Sequence, residues 1–149
     1  MNMNLEYPLD IDKILRKKKS IKKELLNKKN LEEKNVAVLG GSTTFEIKNI
    51  LELFLLDSGI KPNFYESEYN KYYEDAVFGG VELEKFNPDL IYIHTTNINI
   101  NKFPEPENSI EDVSALIKHE IKKYKSIWSS LSKYNCPIIQ NNFDYTANR

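Results

Sequence analysis

The sequence predicts an α/β fold with three layers, in which helices cover both faces of a parallel, flavodoxin-like sheet. Short apolar runs without polar alternation, typical of strands buried on both faces, occur at 36–39 and 90–93. Segments with apolar residues at helical spacing lie between such runs. Gly40 and Gly41 end the first run, and hydroxyl residues that can cap a helix follow. Alternating strands and helices imply parallel strands joined by right-handed crossovers.

A basic helix is predicted at the N-terminus. Asp10 can cap it, and its apolar residues form one stripe, so it should pack on the domain while its lysines face solvent. The stripe consists of Ile11, Ile14, Leu15, Ile21, Leu25 and Leu26. We assign residues 1–35 to this helix and a polar linker, and residues 36–149 to the α/β domain.

The first strand, at 36–39, should lie inside the sheet. A helix is expected over 45–57, with Ile47, Ile50 and Phe54 at helical spacing and Gly59 as its C-terminal cap. A second strand at 63–66 follows Pro62. The tyrosine-rich segment 68–77 is predicted to be helical, and 81–86 to form a short helical turn.

The third strand is predicted at 90–93, and a loop over 97–108 separates it from the longest helix. Ser109 should cap that helix, with Asp112 as its capping-box partner. The fourth strand is expected at 137–140, and the simplest strand order is 2-1-3-4. The buried face of the long helix is predicted to contain Val113, Leu116, Ile117, Ile121, Tyr124, Trp128 and Leu131.

Composition restricts the classes of function. The chain has 149 residues, enough for one domain, and its apolar runs are shorter than the ~18 residues of a membrane span. The N-terminus lacks the apolar core of a signal peptide, and Cys136 has no second cysteine to pair with. We therefore expect a cytoplasmic protein without a membrane partner.

Charge is distributed unevenly along the chain. Residues 13–34 hold 10 Lys and Arg against 3 Glu, a balance of +7, so the remainder carries −8 within a net charge of −1. A basic arm can attract nucleic acid, a membrane surface or an acidic protein. A solvated helix on an otherwise acidic domain is the simpler interpretation, and nucleic acid is not an expected partner.

The candidate site lies where the predicted strands end, because ligands bind outside the carboxyl ends of strands at a topological switch point. Free backbone N–H groups at the start of the second helix favour a small anionic ligand. The candidate ligand-binding residues are Gly40, Gly41, Ser42, Thr43, Thr44, His94, Thr95, Thr96, Asn97, Asn141 and Asn142.

The glycine loop matches neither common nucleotide-binding motif. A Walker loop needs a lysine directly after its last glycine, and here the first lysine is Lys48. The third glycine of a dinucleotide fingerprint is absent. The loop is similar instead to the first block of the SGNH hydrolases, which ends in Gly-Asp-Ser, and Thr95-Thr96-Asn97 resembles their Gly-x-Asn block. This likeness implies Ser42 as nucleophile and Asn97 as oxyanion donor.

The base that such a serine needs is missing from the sequence pattern. The Asp-x-x-His block of these hydrolases does not occur, since Asp144 is followed three residues later by Ala147. His119 falls in mid-helix, so His94 is the histidine near the predicted crevice. Ser42 is therefore expected to bind a ligand or to cap the second helix rather than to attack a substrate.

Several segments together resemble the N-terminal domain of FkbH-like proteins, whose C-terminal half is a haloacid-dehalogenase (HAD) phosphatase-like domain. They occur in the family's order at 16–25, 37–44, 51–56, 59–62, 64–66, 69–70, 86–91 and 140–143. The resemblance implies an SGNH-like fold. It also implies a place beside a HAD domain that, in some members, moves a glyceryl unit from a bisphosphoglycerate to an acyl carrier protein.

The chain departs from that family because the HAD half is absent. The HAD motif Asp-x-Asp-x-Thr does not occur, since Asp10-Ile11-Asp12 continues with Lys13 and Ile14. Mg²⁺ would belong to the absent domain, so no cofactor is expected here, and the SGNH-like part is expected to be incomplete at its C-terminal end. Implied partners are an acyl carrier protein or a HAD domain.

Three interpretations of function follow, and whether the chain is an enzyme stays open among them. The first is a non-catalytic domain that binds substrate or carrier protein. The alternative is an SGNH-type serine hydrolase or acyltransferase that uses Ser42, with a base from His94 or from outside the chain. The third is an interaction module that acts through the basic helix.

Overall fold

The computed structural model describes residues 5–143, and over this range the chain forms a four-stranded, all-parallel sheet with helices on both faces. The strand order β2-β1-β3-β4 and the α/β class confirm the prediction. The strands are β1 (Glu32–Gly40), β2 (Ile60–Glu66), β3 (Leu90–His94) and β4 (Ile138–Gln140). The α-helices are α1 (Ile11–Leu26), α2 (Phe45–Asp57), α3 (Tyr72–Glu74), α4 (Val81–Phe86) and α5 (Ile110–Leu131).

Strand β1 is central, and its buried half is the predicted apolar run 36–39. Both β1 and β2 begin earlier than predicted, because the polar residues Glu32–Asn35 pair with 60–63 where the sheet reaches solvent. Lys61 and Glu33, for example, form an exposed ion pair of 2.8 Å there. Pro62 is accommodated inside β2 because an edge strand needs donors on one side only.

Helix α1 packs on the domain, as the sequence predicts, and the element it packs on is α2. Asp10 caps α1 by accepting a 2.9 Å hydrogen bond from the Lys13 N–H. Ile14, Ile21 and Leu25 are buried in a cluster completed by Leu5, Leu53 and Leu56. The buried stripe is narrower than predicted, because Ile11, Leu15 and Leu26 lie on the helix side that α2 does not cover and remain exposed.

The tyrosine-rich segment does not form the single helix predicted over 68–77. A turn at 67–71 contains Asn70 with a φ of +61°, a left-handed conformation that interrupts a helix. Only the three residues of α3 are α-helical, and a π-helical turn, Asp75–Gly79, follows. Tyr72 and Ala76 are nevertheless buried in the core that α5 shares with the sheet.

The capping box of α5 is confirmed, because Ser109 and Asp112 exchange side-chain and backbone hydrogen bonds. The predicted buried face is partly wrong. Tyr124 and Leu131 are buried together with Ile127, which the prediction missed, whereas Ile117, Ile121 and Trp128 are 55, 48 and 43 % exposed. These three side chains line an apolar groove of about 640 Å³ beside the end of β4 rather than the sheet core.

The two faces of the sheet are covered unequally. Ala37, Leu39, Ile91 and Ile93 pack under α3, α4 and α5 in one core. On the opposite face, α2 leaves a groove of about 560 Å³ open over β3 and β4, lined in part by Leu90, Tyr92 and Ile139. Within residues 5–143 we find no helix whose length and apolar character would suit a membrane span. Asp144 and Ala147, the positions compared above with the Asp-x-x-His block, lie outside the described residues.

Candidate functional site

Residues 40–42, at the end of β1, form what we call the glycine turn, and hydrogen bonds to the segments after β2 and β3 hold it in place. The Gly40 N–H donates to the Ser67 hydroxyl at 2.9 Å, and the Gly41 N–H donates to the His94 carbonyl at 2.8 Å. A Cβ on Gly41 would lie 2.6 Å from the carboxamide of Asn99, closer than Cβ atoms approach other atoms. Glycine is therefore needed at position 41 so that Asn99 can reach the backbone.

Asn99 ties together the loops that follow β1, β2 and β3. Its amide nitrogen donates to the Gly41 carbonyl at 2.7 Å and to Asn70 Oδ1 at 3.2 Å, and its own oxygen accepts from the Thr96 N–H at 2.8 Å. The side chain is buried. Asn97 is the amide that the sequence predicts as functional, and Asn99 was not predicted. The sequence signal for Asn99 is its position three residues after Thr96. These two residues form a capping box at the start of the short 3₁₀ turn Asn97–Asn99.

The three hydroxyl residues after the glycines have different environments. Ser42 is half-buried and Thr43 is exposed. Thr44 occupies the N-cap position of α2 but does not cap it with its side chain, because its hydroxyl donates instead to Glu66 at 2.6 Å. Lys48 also pairs with Glu66. Burial raises the pKa of Glu66, but the hydrogen bonds from Lys48 and Thr44 outweigh it, so the pKa is lowered and the carboxylate stays charged.

The backbone of His94 contacts the turn at Gly41, but its side chain is hydrogen-bonded to Tyr92. Its Nδ1 is 3.2 Å from the hydroxyl of Tyr92, which is two residues earlier and therefore on the same side of β3. Burial lowers the pKa of His94, so the imidazole is neutral at pH 7. No hydrogen bond joins His94 to Ser42 in the described part of the chain.

The side chain of Asn141 forms hydrogen bonds with the residue after β3 and none with the glycine turn among the described residues. Its side-chain oxygen accepts from the Thr95 N–H at 3.0 Å, and its nitrogen donates to the Thr95 carbonyl at 2.8 Å. The side chain thus continues the β3–β4 ladder beyond the end of β4. Thr95 is buried and Asn142 is exposed. The predicted crevice residues therefore divide into a β1–β3 group around Gly41 and Thr96, and a β3–β4 group around Thr95.

A concave surface lies next to the β1–β3 group, and Asn99 forms part of its lining. This polar pocket has a volume of about 720 Å³. The post-strand loops and α3 form one wall with Asn70, Tyr72, Tyr73, Glu74 and residues 98–101, and α5 forms the other with His119, Lys122, Lys123 and Ser126. The α5 residues share one face because their spacing follows the helical turn. His119 lies in mid-helix as predicted, but the polar row to which it belongs was not predicted.

The two lysines of the polar pocket differ in burial and in whether a carboxylate neutralises their charge. Lys123 is largely buried, donates to the Asn99 carbonyl at 2.6 Å and pairs with Glu120, so its charge is compensated. Lys122 is exposed, and no carboxylate of the described residues forms an ion pair with it. Within residues 5–143, no three His, Cys, Asp or Glu side chains converge as metal ligands would.

Comparison with known proteins gives one informative match. No protein-family model matches the chain, and no curated protein does. A crystal structure of the N-terminal part of the protein BF1531 from Bacteroides fragilis, which contains a phosphatase domain and is complexed with Mg, superposes with a TM-score of 0.67 at 16 % identity. The match covers 88 % of this chain and 34 % of that one. The chain thus spans about a third of that structure and shares its α/β fold.

Proposed function

We propose that the chain is a binding domain for a small anionic substrate, that it serves a phosphatase-type catalytic domain, and that it does not catalyse a reaction by itself. The observation that carries this proposal is the state of Ser42. Nucleophilic attack needs a base within hydrogen-bond reach of the serine. Within residues 5–143 no hydrogen bond joins Ser42 to His94 or to Glu66. The Nδ1 of His94 contacts the Tyr92 hydroxyl, and Glu66 is bonded to Thr44 and Lys48.

The polar pocket supports the binding part of the proposal. Its wall carries amides, hydroxyls and the uncompensated ammonium of Lys122, whereas Glu74 is the single acidic residue among the described lining residues. Such donors suit a phosphate or carboxylate group. The pocket is also connected to the glycine turn, because Asn99 lines the pocket and bonds to the Gly41 carbonyl.

The link to a phosphatase-type domain has separate support. The Bacteroides fragilis structure that shares this fold contains a phosphatase domain and Mg, and the FkbH-like sequence segments favour the same kind of neighbour. That an acyl carrier protein is a partner of this chain stays a prediction from the sequence resemblance.

Ligand binding is tested by NMR titration of the ¹⁵N-labelled protein with inorganic phosphate. We expect saturable shifts at 99–101 and at the α5 wall, and weaker binding by Lys122→Gln because the uncompensated ammonium is lost. Lys118→Gln is the matched control, since Lys118 is exposed on the same helix outside the pocket lining. Binding that is absent, or equally weakened by both variants, contradicts the proposal.

The absence of catalysis is tested with a fluorophosphonate probe, which labels activated serines. We expect no labelling of the parent protein, because no base within residues 5–143 is hydrogen-bonded to Ser42 to take its proton. A Ser42→Ala variant is the control. Stoichiometric labelling of the parent that disappears in this variant would support the serine hydrolase or acyltransferase instead.

A further inference from the structure

The outward side of α1 carries positive charge that the fold leaves uncompensated. Arg16, Lys19 and Lys23, which we call the outer basic face, lie opposite the buried stripe because their spacing follows the helical repeat. No carboxylate of residues 5–143 forms an ion pair with any of the three. The lysines nearer α2 differ, since Lys18 pairs with Glu46 at 2.7 Å and Lys22 with Glu52 at 2.6 Å.

Apolar side chains border the outer basic face. Ile11, Leu15 and Leu26 are 56, 43 and 42 % exposed, although they belong to a helix that buries three other aliphatic residues. Together with the basic residues they run the length of α1, which at 16 residues is about 24 Å long. An exposed surface that combines a cationic row with an apolar row is suited to a partner with the complementary pattern.

We propose that the outer basic face docks an acidic amphipathic helix of a partner protein. The carboxylates of that helix would pair with Arg16, Lys19 and Lys23, and its aliphatic residues would pack on Leu15 and Leu26. This proposal goes beyond the substrate-binding function, because it uses no residue of the polar pocket.

The charge distribution favours a compact acidic helix over an extended polyanion. Residues 13–34 carry a balance of +7, whereas the rest of the chain carries −8. A nucleic acid or an anionic bilayer would extend past α1 and meet the acidic remainder, which repels it. A helix that lies along α1 meets chiefly the three basic residues and the apolar row, and Asp12 is an exposed carboxylate at the N-terminal end of the same side. Its side-chain ridges can also pack into the grooves of α1.

Fluorescence anisotropy with a labelled synthetic peptide tests the proposal. The probe is a helical peptide with Glu on one side and Leu on the other, and a scrambled peptide of equal composition is its control. We expect saturable one-to-one binding of the helical peptide. The variant R16E/K19E/K23E should bind it at least about tenfold more weakly, since three pairs become repulsive.

Two further variants keep the result interpretable. K85E/K118E/K125E reverses three exposed lysines elsewhere and should bind like the parent, provided that circular dichroism shows both triple variants folded. L15A/L26A keeps the charges and should also weaken binding, because the apolar contact is lost. If R16E/K19E/K23E does not fold, the neutral variant K19Q/K23Q replaces it.

Four outcomes would overturn the proposal. The first is equal affinity for the helical and the scrambled peptide, which would indicate unspecific attraction. The second is equal weakening of peptide binding by the two charge-reversal variants, R16E/K19E/K23E and K85E/K118E/K125E. The third is tighter binding of a single-stranded oligonucleotide or of phosphatidylglycerol vesicles than of the peptide, which would identify another class of partner. The fourth is the absence of saturable peptide binding.

Discussion

At the scale of single residues, Asn99 has more structural consequence than the serine that first attracts attention. Asn99→Ala would leave the Gly41 carbonyl and the Thr96 N–H without their partners in a buried site. We expect a loss of about 2–3 kcal/mol in the free energy of unfolding, measured by urea denaturation. Asn101→Ala, at an exposed position in the same loop, should change it by less than about 0.5 kcal/mol. Equal effects would contradict the role of Asn99.

His94 should make stability depend on pH. Its pKa is lower in the folded protein than its ordinary value of 6.5, because the ring is partly buried. Below pH 6.5 the unfolded chain therefore binds a proton that the folded chain resists, and stability falls as pH falls. We expect urea denaturation at about pH 7.5 and about pH 5 to show a larger acid loss for the parent than for His94→Gln. Equal losses of stability in the parent and in His94→Gln would contradict this role of His94.

At the scale of elements, α1 is part of the folded domain. Ile21 is buried against α2, whereas Ile11 on the same helix is exposed. We expect Ile21→Ala to lower the free energy of unfolding by about 2–5 kcal/mol. The same substitution at Ile11 should change it by less than about 0.5 kcal/mol. Thermal and urea denaturation of the two variants measure the difference. Similar losses would place Ile11 in a buried contact.

Elements with strong local signals were predictable from the sequence. The bounds of α2 at 45–57 and the cap of α5 at Ser109 depend on residues next to one another in the chain. The tyrosine-rich segment was not predictable in this way, because its conformation depends on long-range packing of Tyr72 and Ala76 into the core. The exposed side of α5 was mispredicted because helical spacing reports an apolar face but not whether another element covers it.

At the scale of the molecule, strand order followed from the alternation of strands and helices, but the contacts at the strand ends did not. The prediction brought the ends of β1 and β3 together, and the structure has Gly41 bonded to His94 there. It could not identify Asn99 as a neighbour of that turn or Lys122 as part of the polar pocket, because these side chains come from a 3₁₀ turn and from α5. Such side chains meet only after the crossovers are packed.

The uncovered sheet face over β3 and β4 has a consequence for the behaviour of the protein in concentrated solution. Ile139 is 52 % exposed there, and β4 forms the outer edge of the described sheet. An apolar edge strand is a template for pairing between molecules, which like net charge opposes at long range. With a net charge of −1 at pH 7 and an isoelectric point near 6.2, this repulsion is weak. Colloidal stability should therefore be lowest in slightly acidic buffer and improve at alkaline pH.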